Sequence, residues 1–127
     1  MENRVTYTVY YEDTDSLGVV YYANYLKYLE RGRTELVGQF GRPIREWNAD
    51  GYYFVVYGMT IKFRRPAELG DHVDVVSAMT LESPFRALFH QRIERAGATL
   101  VEADVEVVCL GRNRAIQEFP AELRPGS

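Results

Sequence analysis

The residues best suited to chemistry lie together near the start of the chain, in the run Tyr11-Glu12-Asp13-Thr14-Asp15-Ser16-Leu17-Gly18-Val19-Val20-Tyr21-Tyr22. Asp13 and Asp15 stand just before a stretch whose apolar residues recur with helical period from Tyr22 onward. The first turn of a helix presents backbone N–H groups without intrahelical acceptors and the positive end of the helix dipole. An oxyanion formed there would be stabilised by the backbone alone. A carboxylate just upstream could act beside it as a nucleophile or a general base.

Aspartate before a helix is also a common cap or turn former, and the residue types alone leave this alternative open. In an extended chain Asp13 would point to the same side as Asp15, and two close carboxylates disfavour joint ionisation. We assign Asp13 the capping or turn role. Gly18 is expected to take a positive φ angle in the turn that follows.

Other catalytic and metal-binding chemistries find no support in the sequence. His72 and His90 are separated by a predicted strand and lack the spacing of metal ligands. Cys109 alternates with apolar residues, which predicts a buried thiol, and a single cysteine excludes an internal disulfide. The glycine patterns of serine-hydrolase elbows, phosphate loops and dinucleotide sites are absent from the sequence. We therefore predict no metal and no cofactor.

The elements that position the aspartates can be read from the periodicity. Alternation of Val5, Tyr7, Val9 and Tyr11 predicts a strand before the loop. The helical pattern from Tyr22 ends at the glycines and the proline of positions 38–43. A glycine inside this helix, Gly32, costs stability, so we expect another group to pack closely against it.

The rest of the chain reads mainly as strands joined by short turns. A loop or short helical turn is predicted over 43–52, and alternating segments follow at 54–64, 72–81, 86–95 and 99–110, with a last short strand at 114–119. In the first of these, Val55, Tyr57 and Met59 are predicted to share one face with Ile61 and Phe63. One long helix and several consecutive strands predict an α+β protein, an antiparallel sheet covered on one face by the helix. Self-association would cover the other face.

Composition limits the classes of protein and of partner. A chain of 127 residues with 46% hydrophobic residues is the size of one domain, which we place over 1–127. A net charge of −3 gives no general attraction to nucleic acid or to anionic lipid. The beginning of the sequence lacks the apolar stretch of a signal peptide, and no segment is apolar for long enough to span a bilayer. The predicted location is the cytoplasm.

The run Asp13-Thr14-Asp15-x-x-Gly18-Val19-Val20-Tyr21-x-x-x-Tyr25 resembles the signature of the 4-hydroxybenzoyl-CoA thioesterase family. The preceding Tyr-Tyr-Glu resembles in particular the branch of acyl-CoA thioesterases associated with the Tol–Pal system. Further matches extend the resemblance over nearly the whole chain: Glu30 to Glu35 on the helix, Phe54-Val55-Val56, Gln91-Arg92-Ile93 and Val107-Val108-Cys109.

The resemblance implies a hotdog fold, in which a curved antiparallel sheet of about five strands wraps around one long helix. It implies homodimers whose sheets join, or homotetramers built from them. Asp15 would be the catalytic carboxylate, acting as nucleophile or general base. The oxyanion donor would be the backbone N–H at or near Tyr22, whose side chain receives no role because the Tol–Pal branch has histidine at that position.

The implied substrate is an acyl-CoA thioester, or a thioester of acyl carrier protein, which carries the same pantetheine arm. Arg86 matches the position of residues that hold the nucleotide of CoA in the related hydroxybenzoyl enzyme. We expect the substrate to contact Gly18 and Val19, with its acyl group in a tunnel between the helix and a partner subunit. The residues expected to line that tunnel are Tyr25, Tyr53, Tyr57 and Met59.

Three alternatives remain at this point. Another hotdog branch uses a glutamate on the helix, so Glu30 and Glu35 are reserve candidates for the catalytic carboxylate, although a structural role is the more usual one for such residues. A hotdog dehydratase would need a histidine beside its aspartate, and the sequence shows no such pair. A protein that binds acyl-CoA or acyl carrier protein without hydrolysing it would keep the fold and not require Asp15.

Overall fold

The computed structural model describes residues 2–124 and is built around one antiparallel sheet. In spatial order the strands run β1-β3-β4-β5-β2, and β6 pairs with the end of β5. The strands are β1 Glu2–Thr8, β2 Tyr53–Phe63, β3 His72–Ser83, β4 Arg86–Arg95, β5 Ala98–Leu110 and β6 Ile116–Gln117. The helices are α1 Tyr25–Gly38 and α2 Ile44–Ala49, with 3₁₀ turns at Tyr11–Asp13, Tyr22–Asn24 and Ala121–Leu123. The predicted α+β class is confirmed, and β6 lies within the last short strand predicted at 114–119.

Helix α1 packs across the inner face of β1, β3 and β4. The buried residues on its apolar side are Tyr25, Tyr28, Leu29, Leu36 and Val37, whereas Leu26 is 44% exposed. At Gly32 an added Cβ would lie only 2.6 Å from Cγ1 of Val75 and 2.8 Å from Oγ of Ser77. The predicted close packing at this glycine is therefore confirmed, because the helix touches β3 where it has no side chain.

The alternation predicted for β3 and β5, the strands on either side of β4, is confirmed. Every second residue of β5 is buried, as is every second residue along the first part of β3: Val101, Ala103, Val105, Val107 and Cys109 in β5, and Val73, Val75, Ser77 and Met79 in β3. The intervening side chains point away from α1, which gives the sheet one apolar face and one largely charged face.

Strand β2 departs from the predicted alternation. Val56 pairs with Val107 and Gly58 pairs with Glu106, so Tyr57 between them has no partner on β5. This β-bulge reverses the alternation, because one extra residue shifts every following side chain to the other face. Met59 therefore shares the inner face with Val56, and the prediction that Val55 and Tyr57 accompany it is wrong.

The first strand is also shorter than predicted. It ends at Thr8, and the chain then turns through a 3₁₀ helix in which Tyr11 is 81% exposed. The turn forms because the Asp13 carboxylate caps the Tyr10 N–H, which draws the chain out of the extended conformation. None of the helices within residues 2–124 has the length and apolar character that crossing a membrane requires.

Candidate active site

The loop that carries Asp15 is a tight hairpin. Thr14 and Val20 form an isolated antiparallel bridge, and inside it the Asp15 N–H donates to the Val19 carbonyl at 2.9 Å. The Gly18 N–H donates back to the Asp15 carbonyl at 3.1 Å. Gly18 has φ +78°, as predicted, and a left-handed residue closing a three-residue turn is a common hairpin arrangement.

Backbone hydrogen bonds hold this hairpin against the connection between β2 and β3. The Val20 N–H donates to the Ala67 carbonyl at 2.8 Å, and the Leu69 N–H donates to the Gly18 carbonyl at 3.0 Å. The buried Tyr25 hydroxyl accepts the Ala67 N–H at 2.9 Å, which ties the start of α1 to the same connection. The hairpin, the helix start and this connection are thus fixed relative to one another.

Asp13 has the structural role predicted for it. Its buried carboxylate accepts the Tyr10 N–H at 3.0 Å and the Tyr28 hydroxyl at 2.8 Å. Its backbone carbonyl accepts the Tyr21 N–H at 3.1 Å and the Asn24 side-chain amide at 2.9 Å. Burial and the hydrogen bond to Asp13 both raise the pKa of Tyr28, so this pair consists of a neutral phenol and its acceptor.

Asp15, in contrast, is exposed in the single chain. Its Oδ1 accepts the Leu17 N–H at 2.8 Å, which forms a local turn, and Oδ2 receives no hydrogen bond from residues 2–124. Asp15 is not among the residues that line the cleft at Val20, Tyr22 and Tyr25. One carboxylate oxygen is therefore free at the surface beside the helix start.

The helix starts with the 3₁₀ turn Tyr22–Asn24, which leads directly into α1. The first two N–H groups of this turn, those of Tyr22 and Ala23, have no acceptor among residues 2–124. They lie at the end of the helix where an anion is stabilised. A cleft of about 240 Å³ opens beside them, with walls formed by Val20, Tyr22, Tyr25, Phe63, Arg64 and Arg65.

Sequence reasoning missed the far wall of this cleft. The Phe63 ring lies 6.2 Å from that of Tyr22 and 5.7 Å from that of Tyr25, measured between ring centroids. Arg64 and Arg65 follow Phe63 at the end of β2 and are exposed. The pattern Phe-Arg-Arg-Pro marks the end of a strand, but only the strand order shows that this end meets the helix start.

The remaining predicted site residues lie farther away. Tyr57 and the half-buried Met59 are in the middle of β2, and Arg86 opens β4, where it pairs with Glu82 at 3.7 Å. The far end of β4, at Arg95, is the one near the hairpin, because Arg95 pairs with Asp71. Nine strand steps of about 3.3 Å place Arg86 roughly 30 Å away. One chain does not bring Arg86 to the Asp15 loop.

The other titratable candidates have ordinary surroundings. Glu30 and Glu35 are exposed on α1, and His72 and His90 are exposed on β3 and β4. Cys109 is buried, as predicted, and burial raises the pKa of its thiol. No group of three or more metal-ligating side chains comes together within residues 2–124.

An antiparallel sheet packed against one long helix is the architecture of hotdog-fold thioesterases. The sequence model of the Thioesterase-like superfamily matches residues 9–125 of the chain. The acyl-CoA thioester hydrolase YbgC of Escherichia coli O6:H1 is 41% identical over 103 residues, which cover 80% of this chain and 77% of that protein. The acyl-CoA thioesterase YbgC of Haemophilus influenzae is 35% identical over 119 residues, 91% of this chain and 87% of its own.

A solved structure agrees with these relatives. The crystal structure of a probable thioesterase from Bartonella henselae superimposes with a TM-score of 0.89 at 30% identity, covering 94% of this chain and 100% of that one. The chain belongs to the Thioesterase-like superfamily and is a thioester hydrolase. The family predicted from the Asp-Thr-Asp motif is confirmed.

Proposed function

We propose that the protein hydrolyses acyl-CoA thioesters to the free acid and CoA, with Asp15 as the catalytic carboxylate. The observation that carries the proposal is the backbone connection between the hairpin and the helix start. It ties the hairpin that carries Asp15, with one carboxylate oxygen free of hydrogen bonds from residues 2–124, to the helix start, where the N–H groups of Tyr22 and Ala23 have no acceptor in that range. The names of the relatives, acyl-CoA thioester hydrolase and acyl-CoA thioesterase, support the same substrate class.

In the proposed reaction the thioester carbonyl oxygen binds at the N–H groups of Tyr22 and Ala23. These donors stabilise the negative charge that develops on the oxygen in the transition state. Asp15 either attacks the carbonyl carbon, which gives a mixed anhydride and releases the CoA thiolate, or removes a proton from a water that attacks. A thiolate leaves readily, so the reaction does not require the general acid that amide cleavage needs, and a site without histidine suffices.

A second copy of the chain completes the site in this proposal. In one chain Asp15 faces solvent, and large apolar side chains around the helix start and β2 are exposed: Leu17, Tyr22, Leu26, Val55, Tyr57 and Phe63. A patch of this kind marks an association surface. Strand β2 is also a free edge of the sheet and can pair with its own copy. We therefore propose a homodimer, or a homotetramer built from two dimers.

The dimer also determines where the substrate would lie. The acyl group would pass Gly18, Val19 and Tyr25 and continue along Met59 on the inner face of β2, a face that the bulge denies to Tyr57. Since Arg86 is far from Asp15 in its own chain, its proposed contact with the nucleotide of CoA requires the site of a second chain. A thioester of acyl carrier protein presents the same pantetheine arm and is the second substrate that the proposal allows.

A thiol-release assay tests the activity. The protein is mixed with short-chain, long-chain and aromatic acyl-CoA thioesters and with an acyl-carrier-protein thioester, and free thiol is measured over time. We expect catalytic release from at least one acyl-CoA. Tight binding of acyl-CoA without thiol release would contradict the proposal and favour the non-catalytic binding protein.

The two roles open to Asp15 can be separated by a single turnover in ¹⁸O-labelled water. Hydrolysis of a mixed anhydride at the aspartyl carbonyl leaves one label in Asp15, whereas direct attack by an activated water puts the label in the released acid. Mass spectrometry of the peptide that contains Asp15 distinguishes them.

A further inference from the structure

A second cavity, separate from the helix start, lies between α1, α2 and β2. It has a volume of about 340 Å³, within the range of small-molecule sites, and its walls are mostly apolar. The side chains that form its floor and sides include Val37, Phe54, Val56, Met79, Phe89 and Val107. It shares no lining residue with the cleft beside Tyr22.

One cation lines this apolar cavity, and it is held in place by buried groups. Nη1 of Arg33 donates to Oε1 of Gln91 at 3.0 Å. The Gln91 amide nitrogen in turn donates to the Leu29 carbonyl and to the Ser77 hydroxyl, both at 2.8 Å. Gln91 and Ser77 are buried, so the orientation of the guanidinium is fixed by the core rather than by solvent.

Arg33 is partly buried and lacks an anionic partner among the described residues. Within residues 2–124 no carboxylate lies within 4.0 Å of its guanidinium, whereas Arg4, Arg42, Arg92 and Arg95 each have one. Burial lowers the pKa of Arg33, and the charge of Glu30 acts in the opposite direction. A cation taken from water without a partner carries a desolvation cost that a bound anion would offset.

We propose that this cavity binds a carboxylate carried on an aliphatic chain, with the carboxylate on Arg33 and the chain among the apolar side chains. A guanidinium has five donors in a planar fork that suits a carboxylate, and only one of its nitrogens is engaged by Gln91. The ligand would bury apolar surface along its chain, and its carboxylate would pair with Arg33, the cation that lines this cavity. Binding of a free acid uses neither Asp15 nor Tyr22 and does not depend on the proposed hydrolytic function, whereas binding of the same carboxylate as part of an acyl thioester rests on that function.

Glu30 contributes a negative charge to the same cavity, and its removal tests the charge of the ligand. It lines the same cavity but is exposed and lies beyond ion-pair distance of Arg33. Its charge would repel a bound carboxylate, so Glu30→Gln is expected to tighten binding several-fold. A neutral ligand that used Glu30 as an acceptor would instead bind more weakly to this variant, which would overturn the proposal.

The experiment is isothermal titration of the full chain with linear carboxylates from hexanoate to dodecanoate, below their micellar concentrations. 1-Octanol and octylamine serve as controls that keep the chain and change the head group. We expect at least one carboxylate to bind, and Arg33→Met to weaken its binding tenfold or more. Arg31→Met is the matched control, because Arg31 is an exposed arginine on the same helix that lies over the Tyr7 ring instead.

A second variant separates loss of binding from loss of folding. Val56→Trp should fill the cavity and abolish binding while Arg33 keeps its charge, since Val56 lines the cavity and is 42% exposed. Because Val56 lies on the edge strand proposed to pair with a second copy, light scattering checks that this variant keeps the mass of the wild type. Circular dichroism and thermal unfolding report whether each variant is folded. Equal binding of 1-octanol and octanoate, or unchanged binding by folded Arg33→Met, would overturn the proposal.

The carboxylate could belong to a free fatty acid or to the far end of a dicarboxylic acyl thioester. Carboxylate binding in the titration identifies the free acid. If no free acid binds, a lower KM for sebacoyl-CoA than for decanoyl-CoA, lost in Arg33→Met, would assign the carboxylate to the substrate. Absence of both effects in a folded and active protein would overturn the proposal and leave the proposed hydrolysis intact.

Discussion

At the scale of single residues, Asp13 and Asp15 have opposite surroundings although one residue separates them. Asp13 is buried and its carboxylate accepts two hydrogen bonds, from the Tyr10 N–H and the Tyr28 hydroxyl. Asp15 is exposed and has one free oxygen beside the helix start. The hydrogen bonds of the Asp13 carboxylate stabilise the fold, whereas the free oxygen of Asp15 is available to a substrate.

Asp13→Ala tests the structural half of this division. The Tyr10 N–H and the Tyr28 hydroxyl both donate to Oδ2 of Asp13, so alanine leaves both donors without this acceptor, whereas asparagine could keep both bonds through its amide oxygen. The free energy of unfolding is expected to fall by about 1–3 kcal/mol, the usual cost of a buried polar group left unpaired. Urea denaturation measures it, with Glu12→Ala on the exposed neighbour as control. Equal stability of Asp13→Ala and the wild type would show that these hydrogen bonds do not support the fold.

This division of roles could be predicted only in part. The sequence places both aspartates before a helix, and the family resemblance selects Asp15 as catalytic. The partner that engages Asp13, Tyr28, lies a full turn inside α1 and contacts Asp13 only after the hairpin has folded back. Such a contact depends on tertiary structure, which residue spacing does not reveal.

At the scale of elements, the contact between α1 and β3 depends on Gly32. A methyl group there would meet Val75 and Ser77 at less than 3.0 Å, so Gly32→Ala must displace the helix. We expect a loss of about 1–3 kcal/mol in the free energy of unfolding, as for other overpacked cores.

Gly38→Ala is the matched control for Gly32→Ala. Gly38 lies in the same helix, and an added Cβ there would meet nothing within 4 Å. Alanine favours the helix, so a gain of up to about 1 kcal/mol is expected. Thermal or urea unfolding measures the stability of both variants. If Gly32→Ala were as stable as the wild type, the close contact between α1 and β3 would be contradicted.

A second prediction at this scale concerns the charged face of β1, β3 and β4. Arg4 pairs with Asp74 and with Glu94, both at 2.9 Å, and Arg92 pairs with Glu94 at 2.5 Å. The hydrogen bonds from Arg92 and Arg4 hold the pKa of Glu94 below its ordinary value of 4.5, although burial acts in the opposite direction. A hydrogen bond from Thr6, together with that from Arg4, lowers the pKa of Asp74 below 3.8.

Carboxylates with lowered pKa values stabilise the fold when they are ionised. Their contribution is complete above the pKa of the unfolded chain and is lost as the pH falls through the lower pKa of the folded protein. The free energy of unfolding should therefore decrease as the pH falls below about 4.5. Urea denaturation at several pH values measures this, and Glu94→Gln should make the decrease shallower. An identical pH profile for Glu94→Gln would contradict the role of this pair.

The elements themselves were predictable where one periodicity holds along a whole segment. The inward residues of β5 could be read directly because no bulge interrupts that strand. In β2 the bulge at Tyr57 shifts the alternation, and nothing in the run Val55-Val56-Tyr57-Gly58 shows which residue loses its partner. Simple alternation therefore predicts the wrong face for Val55 and Tyr57.

At the scale of the whole molecule, the apolar surface around β2 and the helix start predicts self-association. A lysine on an edge strand opposes pairing with another strand, so Val55→Lys should shift the protein toward the monomer. Glu2→Lys on β1, the other edge of the sheet, is the control and should leave the assembly unchanged. Light scattering coupled to size-exclusion chromatography measures the mass. A wild-type monomer with full activity would contradict the proposal that a second chain completes the site.

The sheet and its covering helix follow from the sequence because both depend on local periodicity and on the size of the chain. The set of residues that surrounds the candidate site does not follow from the sequence. Phe63 and Arg65 reach the helix start through the strand order, and Arg86 lies at the wrong end of β4 for its own chain. Contacts of this kind depend on topology and assembly, which one chain's sequence pattern does not specify.

The most direct test of the central claim is the steady-state hydrolysis of an acyl-CoA substrate by Asp15→Asn. Asparagine keeps the shape of the side chain, and its amide oxygen can still accept the hydrogen bond from the Leu17 N–H. The amide can act neither as the nucleophile nor as the base. The account predicts that kcat/KM falls by about 100-fold or more, the usual contribution of a positioned base, while the unfolding midpoint stays at the wild-type value. Turnover by folded Asp15→Asn close to that of the wild type would contradict it.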